Sequence, residues 1–187
     1  RDMEQCKADV RERKLSPRSI WPIIQYFHGW GWQRFPTPLE LRAMCFAALI
    51  HGGHGIIWYT YNSSGKNFGV TASPERWKTF IAVSREISSY VPILMERNAE
   101  RQLVPEIIEG PAKNACGTPS ISALTKKHDG KTYLFCVNSV MKNVKAKFDV
   151  SGFKTCKNSP DGAAVKIDDG VLRVDFVPYD VKVYVLE

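Results

Sequence analysis

The apolar positions of this chain change rhythm partway along. From residue 19 to about 97 they fall in long runs or at helical spacing, and beyond 103 in short alternating runs broken by turn residues. Ser19 to Phe27 is a nearly continuous apolar run, as in a strand buried on both faces, with Pro22 near its start. Thr37-Pro38-Leu39-Glu40 then spells a helix start: a threonine cap, proline at the first helical position, and glutamate three residues after the cap. The helix this opens is expected over about 38–51, apolar nearly all round, with Gly52-Gly53 ending it. Gly55 to Tyr61 is rich in β-branched and aromatic residues and reads as a second strand. After a polar loop from Asn62 to Ala72, the same helix grammar returns as Ser73-Pro74-Glu75. Trp77, Phe80, Ile81, Val83, Ile87 and Tyr90 then mark a helix expected over about 74–97. Strand, helix and strand in this order predict a parallel βαβ unit with a right-handed crossover. Residues 2–14 are polar with helical character, closed by Leu15-Ser16-Pro17.

Beyond 103 the expected strands are 104–108, 120–126, 132–138, 144–150, 164–167, 171–177 and 181–186. Asp129-Gly130 and Asp169-Gly170 each predict a hairpin turn, and short strands at this spacing predict an antiparallel β-sandwich. The fold class is thus α/β followed by all-β, with domains expected at 1–100 and 101–187.

Hydrophobic residues make up 44% and charged residues 24% of the 187, the balance of a globular protein. The net charge is +7, from 26 Lys+Arg against 19 Asp+Glu. Its densest groups, Arg11-Glu12-Arg13-Lys14 and the spaced Lys142, Lys145 and Lys147, are not runs of like charge, so nucleic acid is not an expected partner. No apolar stretch reaches the roughly 18 residues of a membrane span, and no membrane partner is expected. The first residues are polar and show no signal-peptide core, and the chain opens on Arg1, as expected of a processed product or a piece of a longer polypeptide. Of five cysteines, Cys45 is expected to be a buried thiol, while Cys116, Cys136 and Cys156 can supply one disulfide. No Cys/His cluster suggests a metal, and no phosphate-loop or dinucleotide motif suggests a cofactor.

The candidate chemistry lies where the two parallel strands end, because ligands bind at the C-terminal ends of strands in such architecture. Those ends and their loops carry Gln25, Tyr26, His28, Trp30 and Trp32 from the first strand, and Trp58, Tyr59, Tyr61 and Asn62 from the second. Aromatic faces stack on sugar rings, and amide, imidazole and phenol groups hydrogen-bond hydroxyls. Trp58 and Tyr59 have a second reading, as fillers between strands and helices. Glycosidic cleavage usually needs two carboxyl groups flanking the bond. Glu40 and Glu75 are accounted for as helix-start residues, Glu106 and Glu109 lie past the domain boundary, and neither strand end carries an acid.

The runs Ile20-Trp21-Pro22-Ile23-Ile24-Gln25-Tyr26-Phe27, Pro36-Thr37-Pro38-x-Glu40-x-Arg42-Ala43-Met44 and His51-Gly52-x-x-Gly55-Ile56-Ile57-Trp58-Tyr59 resemble the end of (β/α)8-barrel glycoside hydrolases and related proteins. The resemblance implies that strands 19–27 and 55–61 and helices 38–51 and 74–97 are the last β/α units of a TIM-type barrel, with the β-sandwich following. It implies a carbohydrate substrate held by Gln25, His28, Trp30, Trp32, Trp58, Tyr59, Tyr61 and Asn62. Many such enzymes carry a nucleophilic glutamate at the end of the seventh strand, where this chain has Gln25 or its neighbours. The carboxylates are therefore expected upstream or on another chain, unless this branch places them differently or is inactive. Two strands cannot close a barrel, so an upstream portion or a second chain is the expected partner. The compartment stays open, with a secreted, periplasmic or lysosomal setting expected ahead of a cytoplasmic one. A non-catalytic carbohydrate-binding or assembly module is the alternative.

Overall fold

The computed structural model describes residues 8, 12, 19–29, 31, 33–61 and 69–187. Ala8 and Glu12 are helical, and the rest of the helical expectation over 2–14 lies outside the described residues. The chain divides into two compact units, Arg1–Ser89 and Tyr90–Glu187.

In the first unit, β1 (Ile23–Gln25) and β2 (Ile57–Tyr59) are parallel, with Ile23 opposite Ile57 and Gln25 opposite Tyr59. Both strands are shorter than the apolar runs containing them, yet backbone pairing continues past their ends. His54 N–H donates to the Ile20 carbonyl at 2.8 Å, Ile57 N–H to Pro22 at 3.0 Å and Tyr26 N–H to Tyr59 at 2.6 Å. Pro22, which has no N–H to give, stands just before β1 and contributes its carbonyl. Gly55 makes close approach possible here, because a Cβ at this position would collide with the Trp21 ring.

Helix α1 (Pro38–Ile50) begins with the expected capping box. The Thr37 hydroxyl accepts from Glu40 N–H, and the Glu40 carboxylate accepts from Thr37 N–H at 2.7 Å. Helix α2 (Pro74–Leu94) is capped by Ser73, whose hydroxyl accepts from Arg76 N–H at 3.2 Å. It stops short of the expected 97. Pro92 removes a helical donor, and the helix ends two residues later. Ile24 and Trp58 on one sheet face pack with Leu41, Cys45 and Ala48 of α1 and Phe80, Val83 and Ile87 of α2. Arg42 and Glu86 tie the two helices through paired bonds of 2.6 and 2.8 Å.

The second unit contains two antiparallel sheets. One has the order β3-β6-β8 and the other β4-β5-β9-β7, for β3 (Glu106–Glu109), β4 (Ile121–His128), β5 (Lys131–Asn138), β6 (Val144–Asp149), β7 (Cys156–Asn158), β8 (Val171–Phe176) and β9 (Val181–Leu186). Phe148, Leu172 and Phe176 from the first sheet share one core with Ile121, Leu134, Tyr184 and Leu186 from the second. Alternation along each strand produces this arrangement: on β6, Val144, Ala146 and Phe148 are buried, while Lys145 and Lys147 reach Glu109 and Glu106 of β3. Asp129 (φ 48°) and Gly130 (φ 75°) make the expected two-residue hairpin turn between β4 and β5.

One expectation is corrected and one open point is answered. Residues 164–167 form no strand. Only single bridges, Lys157–Ala164 and Asp168–Val171, fall there, and Asp169-Gly170 closes the second of them rather than a hairpin. Val165 and Ile167 still pack against the core, which explains their apolar spacing without a ladder. The strand actually used is β7, which pairs with β9. Cys45, Cys116, Cys136 and Cys156 are free thiols, so no disulfide forms among them.

Edge strand β4 is flanked by an extended segment after α2. Ala99 N–H donates to the Thr125 carbonyl at 2.9 Å, and Leu103 N–H to the Thr125 hydroxyl at 3.0 Å. Lys126, largely buried, donates its ammonium to the Glu96 carbonyl, and desolvation lowers its pKa.

Candidate functional site

At the ends of β1 and β2 the residues separate onto two faces, as strand alternation requires. Ile23, Gln25, Ile57 and Tyr59 share the face away from the helices, where Ile23 is 66% exposed. Gln25 donates its side-chain N–H to the Phe27 carbonyl at 3.1 Å, and the Phe27 ring meets Tyr59 edge-on at 5.5 Å. The Tyr59–Thr60 peptide is cis.

The opposite direction gathers a second group around Phe35. Tyr26 meets this ring edge-on at 5.9 Å and His28 at 4.9 Å, and the Arg76 guanidinium lies over it at 3.5 Å. Local chemistry holds each part. Arg34 bonds the Phe35 carbonyl at 3.0 Å and both oxygens of Glu40 at 2.7 Å, tying Phe35 to the start of α1. The Ser73 cap places Arg76 in the first turn of α2, and Tyr26 donates its hydroxyl to the Arg76 carbonyl at 3.1 Å. Burial pushes the Tyr26 phenol up, opposed by Thr79 and by the positive charge of Arg76.

A third group follows β2. Tyr61, 65% exposed, meets Trp77 edge-on at 6.3 Å, and Trp77, 40% exposed, stacks on Phe80 at 5.4 Å. Gly69 is required beside it, since a Cβ there would run into the Thr60 and Tyr61 carbonyls.

Of the residues singled out in the sequence, Gln25, Tyr59 and Tyr61 stand on or just beyond the strand ends. His28 joins the Phe35 group. Trp58 points to the helices and meets Phe80 at 5.0 Å, the packing position that was its second reading. Trp30, Trp32 and Asn62 lie outside the described residues. The sequence did not single out Phe27, Phe35, Arg76 or Trp77 for this region; Arg76 and Trp77 read as helix positions, and only the Ser73-Pro74 cap signal hinted that they stand beside the strand ends.

The described carboxylates of α1 and α2 are committed. Glu40 is held down to about 2, first by Arg34 and then by the Thr37 N–H and hydroxyl. Glu86 belongs to Arg42, and Glu75 is held low first by its own backbone N–H, then by the Ser73 hydroxyl and the charges of Lys78 and Arg76. Among the described residues, no group of three or more His, Cys, Asp or Glu could hold a metal ion, and no helix is long and apolar enough to cross a membrane.

No family model and no curated protein matches the sequence. Solved structures match it in fold. The maltose complex of AmyP is 10% identical with a TM-score of 0.60, covering 97% of this chain and 43% of its own. An Anoxybacillus alpha-amylase is 14% identical with a TM-score of 0.54, covering 98% and 42%. A GH27 β-L-arabinopyranosidase from Geobacillus stearothermophilus, in complex with arabinose, is 12% identical with a TM-score of 0.53, covering 89% and 36%. The chain thus has a glycoside-hydrolase-like fold, α/β followed by β, and spans less than half the length of these proteins.

Proposed function

We propose that this chain is the C-terminal part of a glycoside hydrolase that acts on O-glycosidic bonds. In this reading residues 1–100 supply the last β/α units of a (β/α)8 barrel and residues 101–187 a β-sandwich. The observation that carries the reading is the group formed by Gln25, Phe27 and Tyr59 at the C-terminal ends of two parallel strands, with the exposed Tyr61 just beyond the second. Flat rings and an amide at strand ends match the apolar faces and hydroxyl edges of sugars. Trp30, Trp32 and Asn62, and Trp58 behind the strand, belong to the proposed contact set on their sequence positions. The exposed Ile23–Ile57 face calls for further strands, which an upstream portion of the polypeptide or a second chain would supply. The carboxylates sit there too, because those at hand hold helix starts and an ion pair.

The same shortage of free carboxylates among the described residues at the strand ends favours a second reading, a non-catalytic carbohydrate-binding or assembly module. Titration of the chain with neutral oligosaccharides, followed by tryptophan fluorescence, tests both. Saccharide binding that Tyr59→Ala and Tyr61→Ala weaken supports the site, and no binding to any saccharide overturns it. Hydrolysis by the chain alone would overturn the placement of the carboxylates elsewhere. Hydrolysis that appears only with the upstream polypeptide selects the enzyme over the module.

A further inference from the structure

Two arginines of the first unit lie against phenylalanine rings, and they differ in one respect. Arg42, 5.3 Å from the Phe46 ring, has its guanidinium edge filled by both oxygens of Glu86. Arg76, at 3.5 Å from the Phe35 ring, is in closer contact, and among the described residues no carboxylate lies within ion-pair distance of it, although the neighbouring Glu75 acts on it electrostatically. A guanidinium flat on an aromatic ring is held in orientation, while the in-plane N–H groups at its edge remain able to take a planar oxyanion through two parallel bonds. His28 stands on the same ring at 4.9 Å, and Arg76 belongs to the first turn of the 21-residue α2, where the helix dipole favours negative charge. Arg34, the other cation at Phe35, is already occupied by Glu40.

We propose that Arg76, stacked on Phe35 beside His28, binds the carboxylate of an acidic sugar, so that a saccharide held at these strand ends carries a uronate unit. This inference rests on the carbohydrate reading above and adds the charge of the ligand to it. Phe35 is the platform that orients the fork, and Tyr26, bonded to the Arg76 carbonyl, fixes the turn from which the side chain springs. Arg76 is a specificity-determining contact for the acidic group, and cleavage chemistry is not asked of it.

The test compares trigalacturonic acid with its fully methyl-esterified form, which keeps the rings and removes the charge, by calorimetric titration of the whole chain. The wild type should bind the acid more tightly, with the difference shrinking as salt rises. Arg76→Gln should weaken acid binding by about tenfold or more and leave ester binding unchanged, as expected for loss of a charge-assisted pair. Arg76→Lys should retain part of the preference, because it keeps the charge and loses the fork. A purely structural role would lower the melting temperature of Arg76→Gln and leave the acid-to-ester ratio unmoved, which overturns the proposal. Equal wild-type affinity for acid and ester also overturns it while leaving the carbohydrate reading intact. Sodium acetate or phosphate displacing the trisaccharide at equal concentration would reassign the site to a free anion. Binding of neither saccharide, with no neutral saccharide bound, removes the carbohydrate reading and this inference together.

Discussion

The side-chain amide of Gln102 pairs with the backbone of Thr125 as a neighbouring strand would. Its oxygen accepts from Thr125 N–H at 3.0 Å, and its nitrogen donates to the Thr125 carbonyl at 3.0 Å and to the Ala99 carbonyl at 2.7 Å. Thr125 is almost fully buried on edge strand β4, so its N–H has no water to replace the lost partner. Gln102→Ala should therefore destabilise the chain by about 1–3 kcal/mol, the cost of stranding a buried donor. Urea denaturation of both proteins measures it, and an unchanged midpoint would show that the edge relaxes without cost.

Glu40 links stability to pH. Its carboxyl is depressed in the folded state to about 2 from an ordinary 4.5, with Arg34 the first cause. A depressed acid stabilises the fold in its ionised form. The contribution is full above pH 4.5 and is lost as pH falls from 4.5 towards 2. The pair is partly solvated, so the expected size is about 1 kcal/mol rather than the whole shift. Glu40→Gln should flatten that part of the stability profile between pH 5 and pH 2, read as melting temperature against pH.

Arg42 and Glu86 offer a different measurement. Each side chain is about three-quarters shielded and meets the other through two short bonds. Arg42→Met alone should cost roughly 1–3 kcal/mol, because Glu86 is left charged and largely shielded. The double variant Arg42→Met/Glu86→Leu should recover part of the loss. Additive losses in the double-mutant cycle would mean that the pair contributes no coupling.

The thiols should divide by burial. Cys45 and Cys136 are buried, and desolvation pushes both thiols upward; burial raises Cys156 to about 11. Cys116 is exposed. Brief alkylation of the native chain at pH 8, followed by peptide mass mapping, should label Cys116 and spare Cys45, Cys136 and Cys156 until denaturant is added. Rapid native labelling of Cys136 would contradict its place in the core.

The features legible in the sequence were those that neighbouring residues decide. Thr37, Pro38 and Glu40 satisfy one another within a single turn, and Asp129-Gly130 needs only its own backbone geometry to join β4 to β5. Residues 164–167 misled because Val165 and Ile167 alternate inward as strand residues do, while the hydrogen bonds expected of them run elsewhere. Cys156-Lys157-Asn158 is too short to show a period, and only the presence of β9 makes it a strand. The placement of Gln25, Tyr59 and Tyr61 at or just past strand ends could be read because strand ends can be located from runs of apolar residues. The Phe35–Arg76 contact could not, since it joins a loop before α1 to the first turn of α2 across 41 positions of chain. An arginine in a helix reads as a solvated residue until the ring beneath it is known.

The Gln102 bond also bears on how this chain meets copies of itself. An eight-residue outer strand with open amides is a template on which another molecule can add in register, and repetition of that step builds fibrils. A side-chain amide already sits at the middle of that template, and a newcomer would have to displace it together with Ala99 before docking its own backbone. The chain thus carries its own competitor for self-templated growth at this border, and loss of that one carboxamide would appear first as a shorter lag before aggregation.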